Sequence, residues 1–146
     1  MDKLIEYSIL RINSVNTDFK RYLWDDINWN NRLIATASAK DIGKTTLLLK
    51  YIKENLAPKP GEVIYVSMDD LYFTKNTLVD FADAFVKRGG KYLFLDEIHK
   101  YPNWSQEIKN IYDYFAGLKI VITGSLALNI YKGKADLSRR AIMYNM

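Results

Sequence analysis

LIATASAKDIGKTTLLLK, residues Leu33 to Lys50, is the stretch on which the fold turns. An apolar run ends in small residues, a short polar loop follows, and Gly43-Lys44-Thr45-Thr46 opens a leucine-rich helical pattern. The order is strand, loop, helix. A helix N-terminus has unpaired backbone N–H groups and a partial positive charge, so a loop in this place binds anions. Gly43 admits the close approach of a phosphate, Lys44 can reach β- and γ-phosphates, and the Thr45 hydroxyl can ligate Mg2+. The candidate nucleotide cradle is therefore Ser38, Ala39, Lys40, Asp41, Ile42, Gly43, Lys44, Thr45 and Thr46.

Two positions depart from the pattern G-x-x-x-x-G-K-[ST]. Its first glycine falls on Ser38, and Asp41 puts a carboxylate inside the loop. A serine forced to positive φ costs roughly 1–2 kcal/mol. A carboxylate about 4 Å from a phosphate charge costs about 1 kcal/mol in water and about 4 kcal/mol at an effective dielectric near 20. The alternative for Asp41 is that it turns away and favours the helix start, where acids gain about 0.3–1 kcal/mol.

The whole chain narrows the choice. Its 146 residues make one domain with room for a core. Without cysteine there is no disulfide framework, zinc–thiolate site or thiol nucleophile, and the single His99 excludes a multi-histidine metal site. A formal charge of +4 suits an anionic ligand without requiring nucleic acid. The N-terminus has no signal pattern and no apolar run is long enough to span a membrane, so a cytoplasmic protein is expected.

Residues 3–24 read as a helical arm, with Leu4, Ile5, Ile9 and Ile12 on one face and a second piece around Phe19, Tyr22 and Leu23. Trp29 reads as a packing anchor for this arm, the alternative being a platform for adenine. Strands are expected over 32–37, 62–68, 91–96, 119–123 and 141–144, and helices over 44–56, 77–87 and 104–115, with a short one at 126–130. Asp69-Asp70 reads as a cap for the following element rather than a metal site. The alternation of strands and helices argues a doubly wound α/β sheet, mainly parallel, in a three-layer sandwich. The domain division is a helical N-terminal arm over 1–31 and a core over 32–146.

KYLFLD, residues 91–96, is an apolar strand ending in Asp96, with Glu97 next, about fifty residues after Lys44. Ligands of open α/β sheets bind at the carboxyl ends of strands. Asp96 can hold Mg2+ beside Thr45, and Glu97 can polarise an attacking water. The plainer alternative is two acids that cap a loop. The next strand ends in Thr123-Gly124-Ser125, where Thr123 and Ser125 are candidates to contact a γ-phosphate or the lytic water. His99 reads as a hydrogen-bonded structural histidine or as a group that tunes Glu97.

LFLDEIHKYPNW, then IVITGS, then DLSRR, resembles the bacterial and archaeal AAA-type ATPases of the P-loop superfamily, which pair an N-terminal ATPase core with a C-terminal accessory domain. NWNNRLIATASAKDIGKTTLLLKYIKE fits the same family, whose loop is usually richer in glycine. The resemblance covers about Tyr22 to the end. It implies ATP and Mg2+ as ligands, Lys44 and Thr45 as the phosphate-loop lysine and magnesium-binding hydroxyl, and Asp96 and Glu97 as the acidic pair. It also implies that Thr123-Gly124-Ser125 is the sensor region. Arg139 and Arg140 lie where the family places an arginine that reaches a neighbouring subunit's γ-phosphate, which implies self-association of the full-length form. The family continues into a helical lid and an accessory domain beyond the position of Met146, so the resemblance implies a truncated core. The competing readings are a degenerate module that no longer hydrolyses nucleotide and serves protein interaction, and a nucleic-acid-associated motor. A protein or nucleic-acid client fits the leading reading too.

Overall fold

The computed structural model describes residues 1–15, 27–38, 44–56, 61–125, 137 and 140–145. Five parallel strands form one sheet: β1 Leu33–Ser38, β2 Val63–Ser67, β3 Tyr92–Asp96, β4 Lys119–Ser125 and β5 Ile142–Asn145, in spatial order β2-β3-β4-β1-β5. The chain thus inserts β4 between β1 and β3, and β2 and β5 are the edges.

Register sorts the side chains into two layers. One face carries Leu33, Ala35, Ile64, Val66, Leu93, Leu95, Ile120 and Ile122, packed with helices α3 (Leu78–Lys87) and α4 (Trp104–Tyr114). The other carries Ile34, Val63, Tyr65, Phe94 and Val121, covered by helix α2 (Lys44–Tyr51) through Leu47, Leu48 and Leu49. Strands buried on both faces read as continuous apolar runs, which is why KYLFLD and KIVIT lack alternation. The architecture is the three-layer α/β sandwich with a parallel central sheet.

The caps follow the sequence chemistry. Thr77 accepts from the Asp80 N–H at 3.1 Å and opens α3. Asp70 accepts from the Tyr72 N–H at 2.9 Å and opens a 3-10 turn over Leu71–Thr74, so the second acid of the Asp69-Asp70 pair is a cap. That turn was not expected from the sequence. Helix α2 widens into a π turn over Ile52–Leu56, which keeps Ile52 in the core.

Helix α1 (Asp2–Ser14) packs along edge strand β2, and the structure corrects which of its residues face inward. Leu4, Ser8 and Ile12 are buried, whereas Ile9 is exposed. Ser8 takes the inward place because the outward-pointing N–H of Tyr65 needs an acceptor, and Ser8 Oγ provides it at 2.9 Å. Lys53 Nζ donates to the carbonyls of Asn13 and Val15, both at 3.0 Å, closing the C-terminal end of α1. The second piece of the arm, around Phe19 to Leu23, lies outside the described residues, as do Ala39 to Gly43 and the short helix expected at 126–130.

Trp29 stacks on Tyr51, ring centroids 3.7 Å apart and planes 9° from parallel. The pair sits with Tyr92 and Lys119, the first residues of β3 and β4, at the end of the sheet opposite Asp96. Trp29 is therefore the anchor of the turn before β1, and the adenine alternative falls on the wrong edge.

Candidate nucleotide site

The site is built on the carboxyl edge of three adjacent strands. β3 ends in Asp96, whose side chain shares the α2 face with Phe94 two residues earlier. Its residue exposure is 3%, and every donor to it among the described residues is neutral. Oδ2 accepts from the Thr45 hydroxyl at 2.5 Å and from the Tyr65 hydroxyl. Oδ1 accepts from the Thr123 hydroxyl and from the Glu97 N–H at 3.1 Å. The carboxylate is held from three directions: β2 on one side, β4 on the other, and the first turn of α2 above.

The Thr45 contact joins residues 51 positions apart in the chain. It puts the first turn of α2 on the acid-tipped strand. This arrangement needs α2 to cross the sheet from β1 towards β3, over the inserted β4.

Glu97 follows in the left-handed region, φ 58° and ψ 44°. For a residue with a side chain that conformation costs roughly 1–2 kcal/mol. Its N–H is shared between Asp96 Oδ1 and Thr123 Oγ1, the latter at 3.2 Å, and these bonds hold the turn. The strain ends β3 abruptly and turns the Glu97 side chain out of strand register. Backbone strain of this kind gathers at functional sites. Glu97 Oε2 lies 3.4 Å from His99 Nε2, so His99 faces the candidate base.

Thr123 is fully buried and is the one sensor candidate whose side chain is described. It joins Asp96 to the Glu97 backbone. The Ser125 backbone pairs in register with Ser38 at the ends of β4 and β1. Ser38 is therefore an extended strand residue, and the positive-φ cost expected of a serine there does not arise. Lys44 opens α2; its side chain, like those of Ser38 and Ser125, is outside the described set, as is all of Arg139. Arg140 forms a two-point pair with Asp113 at the end of α4, Nε to Oδ1 at 3.0 Å and Nη2 to Oδ2 at 3.3 Å. The Arg140 bond, more than the neighbouring Lys109, holds the Asp113 carboxyl below its ordinary value.

The sequence reading missed Tyr65. It sits in EVIYVSM, where a tyrosine reads simply as a good strand former. Its register partner is Phe94, two residues before Asp96 and on the same face, so a long side chain leaning along the strand reaches the carboxylate. Burial, then the Asp96 charge and hydrogen bond, push the Tyr65 hydroxyl well above its ordinary range. It stays protonated and donates.

The donor set suits Mg2+. Asp96 and Thr45 offer hard oxygens, and Mg2+ binds through one or two carboxylates with phosphate oxygens and water. Among the described residues no group of three or more His, Cys, Asp or Glu gathers to form an all-protein cage. A buried carboxylate whose partners among the described residues are all neutral is also a group that gains from a cation.

A parallel sheet with strand–loop–helix at β1 and a buried acid at the tip of β3 defines the P-loop nucleotide-binding class. Residues 30–146 match the family model described as AAA domain, and the chain belongs to that AAA-type P-loop ATPase family. It is 32% identical over 150 aligned positions to the uncharacterized protein MJ1637 of Methanocaldococcus jannaschii, covering 91% of this chain and 31% of that protein. Among solved structures it is similar in fold to PCH-2 of C. elegans, with a TM-score of 0.52, 21% identity, and coverage of 99% of this chain and 39% of that one. The chain thus spans about a third of the lengths of these relatives. It has the core of an ATPase-type nucleotide-binding protein. Among the described residues no helix is long and apolar enough to cross a membrane.

Proposed function

We propose that this chain binds ATP with Mg2+ and hydrolyses the β–γ phosphoanhydride bond, using the released energy to drive a conformational change. The observation that carries the reading is the 2.5 Å contact between Thr45 and Asp96, because it gathers a hydroxyl and a carboxylate at a helix N-terminus.

In this reading the loop of residues 38–46 wraps the phosphates and Lys44 draws charge from the β- and γ-oxygens. Thr45 and Asp96 would hold Mg2+, which supplies charge neutralisation at those oxygens when bound. Glu97 orients water towards the γ-phosphorus and takes up its proton as the new P–O bond forms and the bridging bond breaks, leaving ADP. Thr123 keeps the Glu97 backbone in its left-handed turn. Ser125, at the tip of the next strand, contacts the γ-phosphate. Support for the role of Glu97 is its strained backbone beside the buried acid.

We assign residues 1–31 to an N-terminal arm and 32–146 to the ATPase core. Self-association and a protein or nucleic-acid client are part of this reading. Of the two arginines proposed to act across a subunit boundary, Arg140 is engaged by Asp113 of its own chain, which counts against it for the role.

Calorimetric titration with ATP and Mg2+, beside a Lys44→Ala variant, tests the reading. Micromolar binding that Lys44→Ala abolishes supports it. A folded chain that gives no heat up to millimolar ATP sinks it. That outcome favours the second reading, a degenerate interaction module, which Asp41 within the loop supports.

A further inference from the structure

We propose that Tyr65 is a positioning residue for the metal-binding carboxylate: it fixes the orientation of Asp96 from the neighbouring strand and so sets the affinity for Mg2+. The inference rests on the ATP·Mg2+ reading above and adds to it a group that no phosphate-loop or acidic-strand motif contains.

Three contacts support it. The Tyr65 hydroxyl and the Thr45 hydroxyl share Asp96 Oδ2. Thr45 stands at the helix N-terminus, on the phosphate side, so its bond to Asp96 is the one that a cation would replace. Tyr65 approaches along the sheet from β2, opposite Thr123 on β4. When the Thr45 bond is given up, Tyr65 and Thr123 still hold one oxygen each, and the carboxylate cannot rotate. The tyrosine is itself fixed. Its residue exposure is 3%, its N–H is held by Ser8 of α1 at 2.9 Å, and the Arg11 guanidinium lies 5.4 Å from its ring centroid. The N-terminal helix therefore supports the candidate metal site through one side chain.

A carboxylate aimed in advance binds a cation without the cost of ordering it, and second-layer hydrogen bonds to ligating carboxylates act in this way. Tyr65→Phe removes the hydroxyl and keeps the ring. The experiment titrates Mg2+ into each protein with a fluorescent ATP analogue and reads the midpoint. The same analogue is titrated in EDTA, and folding is followed by circular dichroism. The midpoint is expected to rise about thirtyfold in Tyr65→Phe, the size of one hydrogen bond to a charged group. Binding in EDTA is expected to stay within about twofold, because the phosphate loop is untouched. In an Asp96→Asn background Tyr65→Phe should have no further effect on the midpoint, since it acts through that carboxylate.

An unchanged midpoint overturns the inference and leaves the ATPase reading standing. A lowered midpoint also overturns it, since the hydroxyl would then be competing with the metal. Equal losses with and without Mg2+, or loss of the fold, would make Tyr65 merely structural. If the wild-type chain binds the analogue but ignores Mg2+, the reading beneath the inference fails as well.

Discussion

Replacing Thr123 by valine changes almost no volume and removes one hydroxyl from the centre of the site. Thr123 is fully buried; its Oγ1 donates to Asp96 Oδ1 and accepts from the Glu97 N–H at 3.2 Å. In the variant the Glu97 N–H keeps its bond to Asp96 Oδ1 at 3.1 Å, so no backbone donor is orphaned. The loss is then one hydrogen bond to a charged group, about 2 kcal/mol of stability. For a domain of this size that lowers the melting temperature by about 6 °C. Thr123→Ser keeps the hydroxyl and loses one methyl group, about 1 kcal/mol with its small cavity, or about 3 °C. Differential scanning calorimetry of the two variants at neutral pH measures the order. Valine should be the worse substitution, although it is the closer in shape. If Thr123→Val melts at or above Thr123→Ser, the hydroxyl does not hold Asp96 and Glu97 together, and the account of the site is wrong.

Other perturbations separate further parts of the structure. Ser8→Ala leaves the Tyr65 N–H without its acceptor and should destabilise the chain by about 1–3 kcal/mol in urea titration, with no change in slope. Gly90→Ala puts a Cβ into the Phe85 ring, which is itself packed in the core, and should cost about 1–3 kcal/mol by the same measurement. Asp41→Gly removes a carboxylate from the segment before Gly43 and should tighten ATP about fivefold by calorimetry, the size of a charge repulsion at about 4 Å in water, whereas no change would mean that Asp41 turns away. Arg140→Gln should raise the Asp113 carboxyl towards its ordinary value near 3.8, followed by side-chain carbon chemical shifts. Because that carboxyl is lowered in the folded state, its contribution to stability is present above the ordinary value. It is lost as pH falls through the folded one, so the variant and the parent should converge in stability at acid pH.

Much of this architecture was legible in the chain because the strongest signals were physical ones. KYLFLD and KIVIT are nearly continuous apolar runs, and a sheet covered on both faces explains such strands in one domain. The Asp69-Asp70 pair reads as a cap, and Asp70 is one. What periodicity could not supply was the partner across the sheet. Ile9 looks like a core residue by spacing, yet Ser8 is buried because the backbone of an edge strand needs an acceptor. Tyr65 looks like packing, and its hydroxyl reaches Asp96 only because β2 lies beside β3 in that register. Ser38 falls by spacing on the first glycine position of the loop pattern, yet it is the last residue of a strand. In each case the deciding contact joins distant segments, and local pattern carries no information about register.

Helix α1 bears on how the protein can be cut. The family match begins at residue 30, so a fragment trimmed to that match would keep the sheet and lose Leu4, Ser8 and Ile12. The outer rim of β2 would then present the Tyr65 amide to other molecules, beside the apolar side chains that α1 had covered. An uncovered rim of this kind recruits strands from neighbouring chains. Such a fragment should go into inclusion bodies or form oligomers, and its poor behaviour would say nothing about the nucleotide site.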